Sequence, residues 1–295
     1  MSQLRRRTRT AADARIASPR RTSRLDGAAR SVSVSRILII AGSDSGGGAG
    51  IQADIKTITM FGGYAMTAVT AITAQNTLGV EAVMAVPPEL VLQQMAAVIG
   101  DIGVDAVKIG MLGSAKTATA VAEELDRLSS IPVVFDPVMI ATSGAELADE
   151  ATIAAFGQLI AVSSLVTPNL PELAALTGQE LYTVDEMENA ARAFAEERGV
   201  AVLAKGGHVA GDTIVDFLAM PDGRSWRWED ERIDSRNTHG TGCTLASAIT
   251  AGVAKGLDLD EAVTNARAFV RRAILAAPGF GEGHGPMAHW AGFDE

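Results

Sequence analysis

The segment from Asn237 to Cys243 combines residue types that can bind an anion. It reads NTHGTGC and leads directly into an apolar run that starts at Thr244, which predicts a loop followed by a helix. The first amides of a helix have no partners within the helix, and the helix dipole favours negative charge at that end. We therefore expect the N–H groups from Gly240 to Cys243 to converge on one phosphate oxygen. The alternative is a glycine-containing loop with an ordinary helix cap.

Two reactive side chains accompany this junction. A thiol in the first helical turn, as at Cys243, is expected to have a lowered pKa because of the helix dipole. A small core cysteine is the alternative. Lys205 ends an apolar run and precedes two glycines, so its ammonium could lie along a triphosphate. There, the alternative is a solvated lysine at a strand end.

Candidate metal ligands follow two other apolar runs. The sequence TPNLPE at 167–172 places Asn169 and Glu172 three residues apart at a predicted helix start, so one turn puts both on the same face. Amide and carboxylate oxygens suit Mg²⁺, which keeps several of its waters. The alternative is a capping box formed by the same two residues. Asp136 follows a predicted buried strand, where a carboxylate serves a loop amide or a metal.

A glycine-rich segment, AGSDSGGGAG at 41–50, leaves one predicted strand and enters a helix. It has the glycine content of a phosphate-binding loop. It lacks, however, the lysine and hydroxyl of the Gly-x-x-x-x-Gly-Lys-Ser/Thr motif and the spacing of Gly-x-Gly-x-x-Gly. Taken alone, this loop gives weak support for a nucleotide site.

Apolar, β-branched runs alternate with helical patterns from Val34 onward. The predicted strands are 37–40, 65–72, 106–109, 133–135, 165–167 and 200–203. The predicted helices are 49–61, 88–100, 115–129, 150–160, 183–198, 243–255 and 260–277. Buried strands separated by helices indicate a mostly parallel sheet. The segments 213–220 and 224–233, joined at 221–223, predict an antiparallel hairpin at the sheet edge.

Polar and glycine residues recur at the predicted strand ends. They are Gly42, Gln75, Asn76, Gly110, Asp136, Asn169, Lys205, Gly206 and Gly207, and Met111 follows Gly110. In an open parallel sheet the ligand lies beyond the carboxyl ends of the strands. The sequence therefore predicts one enzyme site that gathers these residues.

Composition excludes several classes of function. The first 33 residues carry nine arginines against two aspartates, which leaves a net charge of −17 for residues 34–295. So acidic a body is a poor nucleic-acid surface, which needs clustered Lys and Arg. A single cysteine excludes an intramolecular disulfide and a Cys-based zinc site. No apolar run approaches the roughly 20 residues of a membrane span, so we expect a soluble protein of the cytoplasm.

Residues 1–33 differ in character from the rest of the chain. They are rich in Arg, Ser, Thr and Ala and lack apolar periodicity, so we expect a disordered leader. A transit peptide or a start codon assigned too far upstream would look similar. We expect residues 34–295 to form one α/β domain.

Taken together, six segments resemble hydroxymethylpyrimidine/phosphomethylpyrimidine kinases, the thiamine-pathway members of the ribokinase-like superfamily. They are AGSDSGGGAGIQADIK (41–56), TAQNT (73–77), KIGML (108–112), TPNLPE (167–172), KGGH (205–208) and NTHGTGC (237–243). The resemblance implies a three-layer α/β/α sandwich with a mostly parallel central sheet. It also implies phosphorylation of 4-amino-5-hydroxymethyl-2-methylpyrimidine and of its monophosphate, with ATP and Mg²⁺, and a homodimer.

The resemblance also implies roles for individual residues. The expected pyrimidine site consists of Gln75 on the aminopyrimidine edge, Met111 on the ring, and Gly42, Asp54 and Thr73 around them. The expected phosphate and catalytic residues are Lys205, Gly240, Thr241, Gly242 and Cys243. Asp136, Asn169 and Glu172 are expected to organise magnesium through water, and the last two to support nucleotide binding. The nearest rival is a pyridoxal or pyridoxine kinase, and a rival of another class is a non-catalytic pyrimidine-binding protein.

Overall fold

The computed structural model describes residues 34–291 except 129 and 142–143. The predicted leader, residues 1–33, lies outside the described residues. Among the described helices none is both long and apolar enough to cross a membrane.

The described chain folds into strands and helices close to those predicted. The strands are β1 (Arg36–Asp44), β2 (Tyr64–Gln75), β3 (Val80–Ala85), β4 (Ala106–Ile109), β5 (Val133–Phe135), β6 (Leu165–Val166), β7 (Ala201–Lys205), β8 (Thr213–Ala219) and β9 (Ser225–Glu231). The helices are α1 (Gly50–Met60), α2 (Pro88–Asp101), α3 (Ala115–Asp126), α4 (Glu150–Ala161), α5 (Leu170–Thr177), α6 (Val184–Arg198), α7 (Thr241–Ala254) and α8 (Leu259–Leu275). Two short 3₁₀ helices span Gly206–His208 and His289–Ala291.

All nine strands join one sheet in the order β3-β2-β1-β4-β5-β6-β7-β8-β9. The six central strands, β2, β1, β4, β5, β6 and β7, run parallel. Strand β3 at one edge and the β8–β9 hairpin at the other pair with them antiparallel. The predicted mostly parallel sheet and the predicted edge hairpin are therefore confirmed.

Alternating side chains of the strands divide the core between two helical layers. Leu38 and Ile40 of β1 belong to the core formed with α2 to α6, whereas Ile37 and Ile39 pack on the opposite face with Ile58 of α1. Helices α7 and α8 share that second face. Because successive strand residues point to opposite faces, continuous apolar strands require helices on both sides. The three-layer α/β/α sandwich is confirmed.

Strand β3 was not predicted. It pairs with β2 after a tight turn in which the Asn76 side chain accepts hydrogen bonds from the Leu78 and Gly79 amides. Most of β3 is exposed, so it lacks the apolar alternation that marks a buried strand. The asparagine turn was the available signal, since Asn side chains commonly hydrogen-bond the backbone two residues ahead.

The C-terminal segment, residues 278–291, lies against the loops at the carboxyl ends of the strands. His284 N donates to the Thr77 carbonyl at 2.9 Å, and His239 N donates to the Gly285 carbonyl at 3.2 Å. His289 is buried and its Nε2 lies 2.9 Å from Thr244 Oγ1 in the first turn of α7. This segment thus fixes the loop that precedes α7.

Candidate active site

A cleft of about 1520 Å³ opens at the carboxyl ends of the parallel strands. Nearly all of the predicted site residues line it, although they come from seven separate parts of the chain. They are Gly42, Thr73, Gln75, Met111, Asp136, Asn169, Glu172, Lys205, Gly240, Thr241, Gly242 and Cys243. Their position in one cleft agrees with the prediction of a single site at this edge of the sheet.

Asp54, which was expected near the pyrimidine, is the exception and does not line the cleft in this structure. Its side chain is fully buried between α1 and the sheet, where it pairs with Lys108 at 2.9 Å and accepts a hydrogen bond from Ser247 at 2.7 Å. Asp54 occupies the face of α1 that packs inward, together with Ala53, Thr57 and Ile58. Sequence spacing could not distinguish this inward face from the cleft.

The loop before α7 brings backbone amides to the cleft. Gly240 is the N-cap residue with φ of +82°, and a Cβ there would clash with the Gly48 carbonyl, so only glycine fits. The Thr241 amide turns back to the Thr238 carbonyl at 3.3 Å. Within the described chain the amides of Gly242 and Cys243 donate to no backbone carbonyl. These two amides can therefore bind an anion, whereas the Thr241 amide, one of the four expected from the sequence, is already engaged.

The Cys243 thiol does not have the predicted lowered pKa. Burial raises the pKa of Cys243 to about 11, and the nearby carboxylates of Asp54 and Asp136 add to that rise. Lys108 and the Gly50 amide oppose it. The helix dipole is thus outweighed by the loss of solvent, which disfavours a thiolate.

Lys205 lies beside the start of α7 and is held by acidic groups. Its Nζ donates to Asp136 Oδ1 at 2.7 Å and lies 3.9 Å from Glu172 Oε2. A Cβ on Gly242 would lie 3.2 Å from this ammonium, so the lysine faces the free amides. Asp136 also accepts a hydrogen bond from Thr167. A cation and two helix amides therefore point to the same part of the cleft.

Asn169 and Glu172 form the capping box that was the alternative interpretation. Asn169 Oδ1 accepts from the Glu172 amide at 2.9 Å, and Glu172 Oε2 accepts from the Asn169 amide at 2.8 Å. Burial raises the pKa of Glu172 to about 7, although the charge of Lys205 opposes the rise. The same residues also line the cleft, so a structural role and a site role coexist.

Asp136, Asn169 and Glu172 are the residues of the cleft that could hold a hydrated metal ion. No group of three or more His, Cys, Asp and Glu side chains within the described ranges is arranged to hold a metal directly. Asp136 binds Lys205 through Oδ1, and its Oδ2 faces Gly242, with 3.5 Å between Oδ2 and the position of a Cβ there. A hydrated ion that keeps its waters fits this arrangement better than a directly ligated one.

The glycine-rich loop binds its own anion. The Asp44 carboxylate accepts hydrogen bonds from the amides of Gly46, Gly48 and Ala49, at 2.8, 3.0 and 2.8 Å. Burial alone would raise the pKa of Asp44, but the His239 hydrogen bond and these amides outweigh it and keep the pKa below its ordinary value. Asp44 occupies these amide donors. The binding of its carboxylate therefore accounts for the glycines of the loop, and no phosphate is required.

His239 joins the two loops and contacts a predicted substrate residue. Its Nε2 lies 2.9 Å from Asp44 Oδ2 and 3.3 Å from Gln75 Nε2. Thr73 Oγ1 lies 3.2 Å from Gln75 Oε1 and donates to the Ser43 carbonyl at 3.0 Å. Thr73 and His239 therefore flank the carboxamide of Gln75. Neither Asp44 nor His239 was predicted from the sequence to be a site residue.

Comparison with known proteins assigns this geometry to a family. The profile of the family described as phosphomethylpyrimidine kinase matches residues 44–288. The hydroxymethylpyrimidine/phosphomethylpyrimidine kinase of Rhizobium meliloti is 48% identical over 257 residues, which are 86% of this chain and 96% of that protein.

The chain belongs to the phosphomethylpyrimidine kinase family.

Another relative is a longer protein. The thiamine biosynthesis bifunctional protein ThiED of Geobacter sulfurreducens is 47% identical over 255 residues, 86% of this chain but only 52% of that protein. The chain thus spans about half the length of this bifunctional relative. Because the family members are kinases, the chain is a phosphotransferase.

Two solved structures of the wider family share the fold. The pyridoxal kinase of Bacillus subtilis, solved as an ADP complex, superposes with a TM-score of 0.80 at 36% identity and covers 88% of this chain and 98% of its own. The phosphomethylpyrimidine kinase of Clostridium difficile 630 has a TM-score of 0.71 at 39% identity and covers 81% and 99%. The expected ribokinase-like architecture is confirmed.

Proposed function

We propose that this protein phosphorylates 4-amino-5-hydroxymethyl-2-methylpyrimidine and then its monophosphate, with ATP as the donor, to give the diphosphate used in thiamine biosynthesis. The proposal rests on one observation. In this member of the phosphomethylpyrimidine kinase family, the residues expected to bind the pyrimidine ring and those expected to bind phosphate line the same cleft. The related pyridoxal kinase of Staphylococcus aureus binds ADP in one structure and AMP-PCP in another, which supports ATP as the donor.

The ring end of the cleft suits an aminopyrimidine. A carboxamide such as Gln75 offers a donor and an acceptor, which match an exocyclic amine and a ring nitrogen. Met111 supplies an apolar surface beside it, and its Sδ–Cε end approaches Gly42, where a Cβ would lie 3.0 Å from Cε. A glycine at 42 therefore leaves room for Met111 next to the ring.

The phosphate end of the cleft suits phosphoryl transfer by positioning. The amides of Gly242 and Cys243 and the ammonium of Lys205 can stabilise charge on the transferred group. In the first step the substrate oxygen is an alcohol that must lose a proton, and Cys243 is the adjacent acceptor. In the second step the nucleophile is a phosphate oxygen, largely ionised near neutrality because its second pKa is about 6.

Magnesium would be held near Asp136 and Glu172 through water, with Asn169 fixing the carboxylate of Glu172. When bound, the ion would neutralise charge on the nucleotide phosphates. Burial raises the pKa of Glu172 to about 7, and a cation bound nearby would favour its charged form.

Pyridoxal kinase activity is the second candidate. Its support is structural, because the pyridoxal kinase superposes with the higher TM-score, 0.80 against 0.71. The ring of pyridoxal also carries a hydroxymethyl group. Sequence similarity favours the pyrimidine, since relatives at 42–48% identity are named for it.

The test is a coupled ADP-release assay on the purified protein with magnesium. It offers hydroxymethylpyrimidine, its monophosphate and pyridoxal separately, with Gln75→Leu as the variant that removes ring hydrogen bonds and keeps bulk. We expect turnover on both pyrimidines, with the diphosphate as final product and a raised KM in the variant. Turnover on pyridoxal alone would overturn the pyrimidine assignment, and no turnover on any of them would favour the binding protein.

We further propose a homodimer that uses the β3 edge of the sheet. Strand β3 ends the sheet, and apolar side chains stand exposed on it and beside it: Ile72 is 48% exposed, Val83 49% and Met84 62%. An exposed apolar edge strand is a surface that proteins normally cover.

A further inference from the structure

Lys108 of β4 is a fully buried lysine beside the cleft. Its side chain has 0% exposure and is the largest of the fully buried ones in the described chain. A buried ammonium is costly unless it is paired. Strand positions 107 and 109 face the other helical layer, so Lys108 and Ala106 point toward α1 and α7. The lysine thus lies beneath the helix that carries Cys243.

Asp54 and Ser247 hold this ammonium. Lys108 Nζ donates to Asp54 Oδ2 at 2.9 Å, and Ser247 Oγ donates to Asp54 Oδ1 at 2.7 Å. One carboxylate therefore connects β4, α1 and α7. Burial raises the pKa of Asp54, and Lys108 and the Ser247 hydroxyl oppose that rise.

The ion pair is oriented with its cation toward the cleft. Lys108 lines the cleft and Asp54 does not. A Cβ on Gly110 would lie 2.8 Å from Lys108 Nζ, so the glycine leaves the ammonium room at the carboxyl end of β4. An oriented pair of this kind acts as a dipole, because the nearer charge dominates at a third site.

Several charges act on the Cys243 thiol. Lys108 lowers the pKa of Cys243, whereas Asp54 and Asp136 raise it, and Lys108 is the largest of the three. Lys205 is also close and is paired with Asp136 at 2.7 Å, as Lys108 is with Asp54 at 2.9 Å. Burial alone would lower the pKa of Lys108, yet the charges of Asp54, Cys243 and Asp136 outweigh it, so the ammonium persists.

We propose that Lys108 is an electrostatic positioning residue of the active site, which stabilises negative charge on Cys243 Sγ, and that Asp54 is the residue that holds Lys108 in place. One consequence of this proposal depends on the proposed function, namely its effect on the first phosphorylation. In that step the proton of the substrate hydroxyl passes to the thiolate of Cys243. As that proton leaves, the oxygen bonds to the γ-phosphorus and the bond to ADP breaks, with its electron pair going to ADP.

The first test measures the thiol itself, because Cys243 is the single cysteine of the chain. Iodoacetamide alkylation rates between pH 8 and 9.5 are compared for the wild type, Lys108→Met with Asp54→Asn, and Lys108→Gln alone. The double variant removes both charges and leaves no unpaired ion, whereas the single variant leaves Asp54 without its cation. Arg36→Met with Asp105→Asn, which removes an ion pair of 2.6 Å at the opposite end of β1, is the matched control.

We expect alkylation to slow from the wild type to the double variant and again to Lys108→Gln. A rise of one unit in the thiol pKa gives about threefold slower alkylation, since a more basic thiolate is also more nucleophilic. A purely structural role predicts the opposite trend, because loosened packing would expose the thiol and speed alkylation. Equal or faster rates in the double variant would overturn the proposal.

The second test measures turnover in the folded double variant. We expect kcat for hydroxymethylpyrimidine to fall about tenfold or more, with a smaller loss for the monophosphate, whose nucleophile needs no proton acceptor. Unchanged kcat for the alcohol would contradict the proposal. Alkylation needs no substrate, so it tests the electrostatic inference even if the proposed substrate is wrong.

Discussion

Both carboxylate oxygens of Asp44 accept hydrogen bonds, so replacing one oxygen by an NH₂ group should disturb the loop. Oδ2 accepts from Gly48, Ala49 and His239, and Oδ1 accepts from Gly46. In Asp44→Asn one of these positions becomes an NH₂ group that faces a donor. A buried donor without an acceptor costs about 1–3 kcal/mol. We expect the variant to lose stability by that amount and kcat/KM by roughly 10- to 100-fold.

The matched control for Asp44→Asn is Asp149→Asn. Asp149 caps α4 through Oδ1 alone, which accepts from the Thr152 amide and hydroxyl. Asparagine keeps that acceptor and is a comparable N-cap residue. Urea unfolding and steady-state kinetics on both variants decide the matter. Equal effects of the two substitutions would refute the role assigned to Asp44.

Cys243 should matter more for one phosphorylation than for the other. Its pKa of about 11 leaves little thiolate at neutral pH, so the proton-accepting form is scarce, and only the alcohol substrate needs it. We expect Cys243→Ala to lower kcat for hydroxymethylpyrimidine about 100-fold, within the range for a lost general base, and to leave the monophosphate rate within a few fold. Equal losses in both steps would count against the thiol as proton acceptor.

At the scale of elements, the contact between the C-terminal segment and α7 depends on a neutral histidine. His289 accepts from Thr244 and its ring is buried, and burial lowers the pKa of His289 to about 4. Between pH 6.5 and 4 the unfolded chain binds a proton that the folded chain does not, so stability falls as pH falls.

This linkage predicts an acid-sensitive fold. From pH 7.5 to 5.0, His289 should account for about 2 kcal/mol of lost unfolding free energy, since one pKa unit corresponds to 1.36 kcal/mol. Urea titrations at the two pH values measure the loss. In His289→Gln the loss should shrink by that amount, whereas His284→Gln, at an exposed position, should keep it. The same loss in both variants would show that His289 titrates normally.

At the scale of the whole molecule, the β3 edge should control assembly. Met84 is 62% exposed on this strand and pairs across it with the exposed Ile72. A lysine at 84 would place a charge in the proposed dimer interface, and buried unpaired charges are strongly unfavourable. Light scattering should therefore show Met84→Lys at the mass of one chain and the wild type at twice that mass.

A surface substitution elsewhere provides the control for the dimer. Leu275 at the end of α8 is 70% exposed and is similar in size to Met84. Leu275→Lys should keep the dimer mass. A wild type that is monomeric at micromolar concentration would contradict the proposed interface outright.

The sequence by itself determined the layered fold and the gathering of the site. Apolar runs such as 37–40 and 133–135 must be buried on both faces, which requires helices above and below a parallel sheet. Parallel strands then deliver the residues at their carboxyl ends to one edge, as observed for Gln75, Asp136 and Lys205. These inferences hold because strand periodicity and chain direction are local properties.

Only the tertiary structure decided which charged side chains are buried, which partners they have and how their pKa values shift. Asp54 was expected in the cleft, but it pairs with Lys108 in the core. The pKa of Cys243 was expected to be lowered, but burial raises it. Asp44 and His239, separated by 195 positions in the chain, meet at 2.9 Å. Burial and partners depend on which elements pack together, and a pKa depends on both. Spacing along the chain carries no record of either.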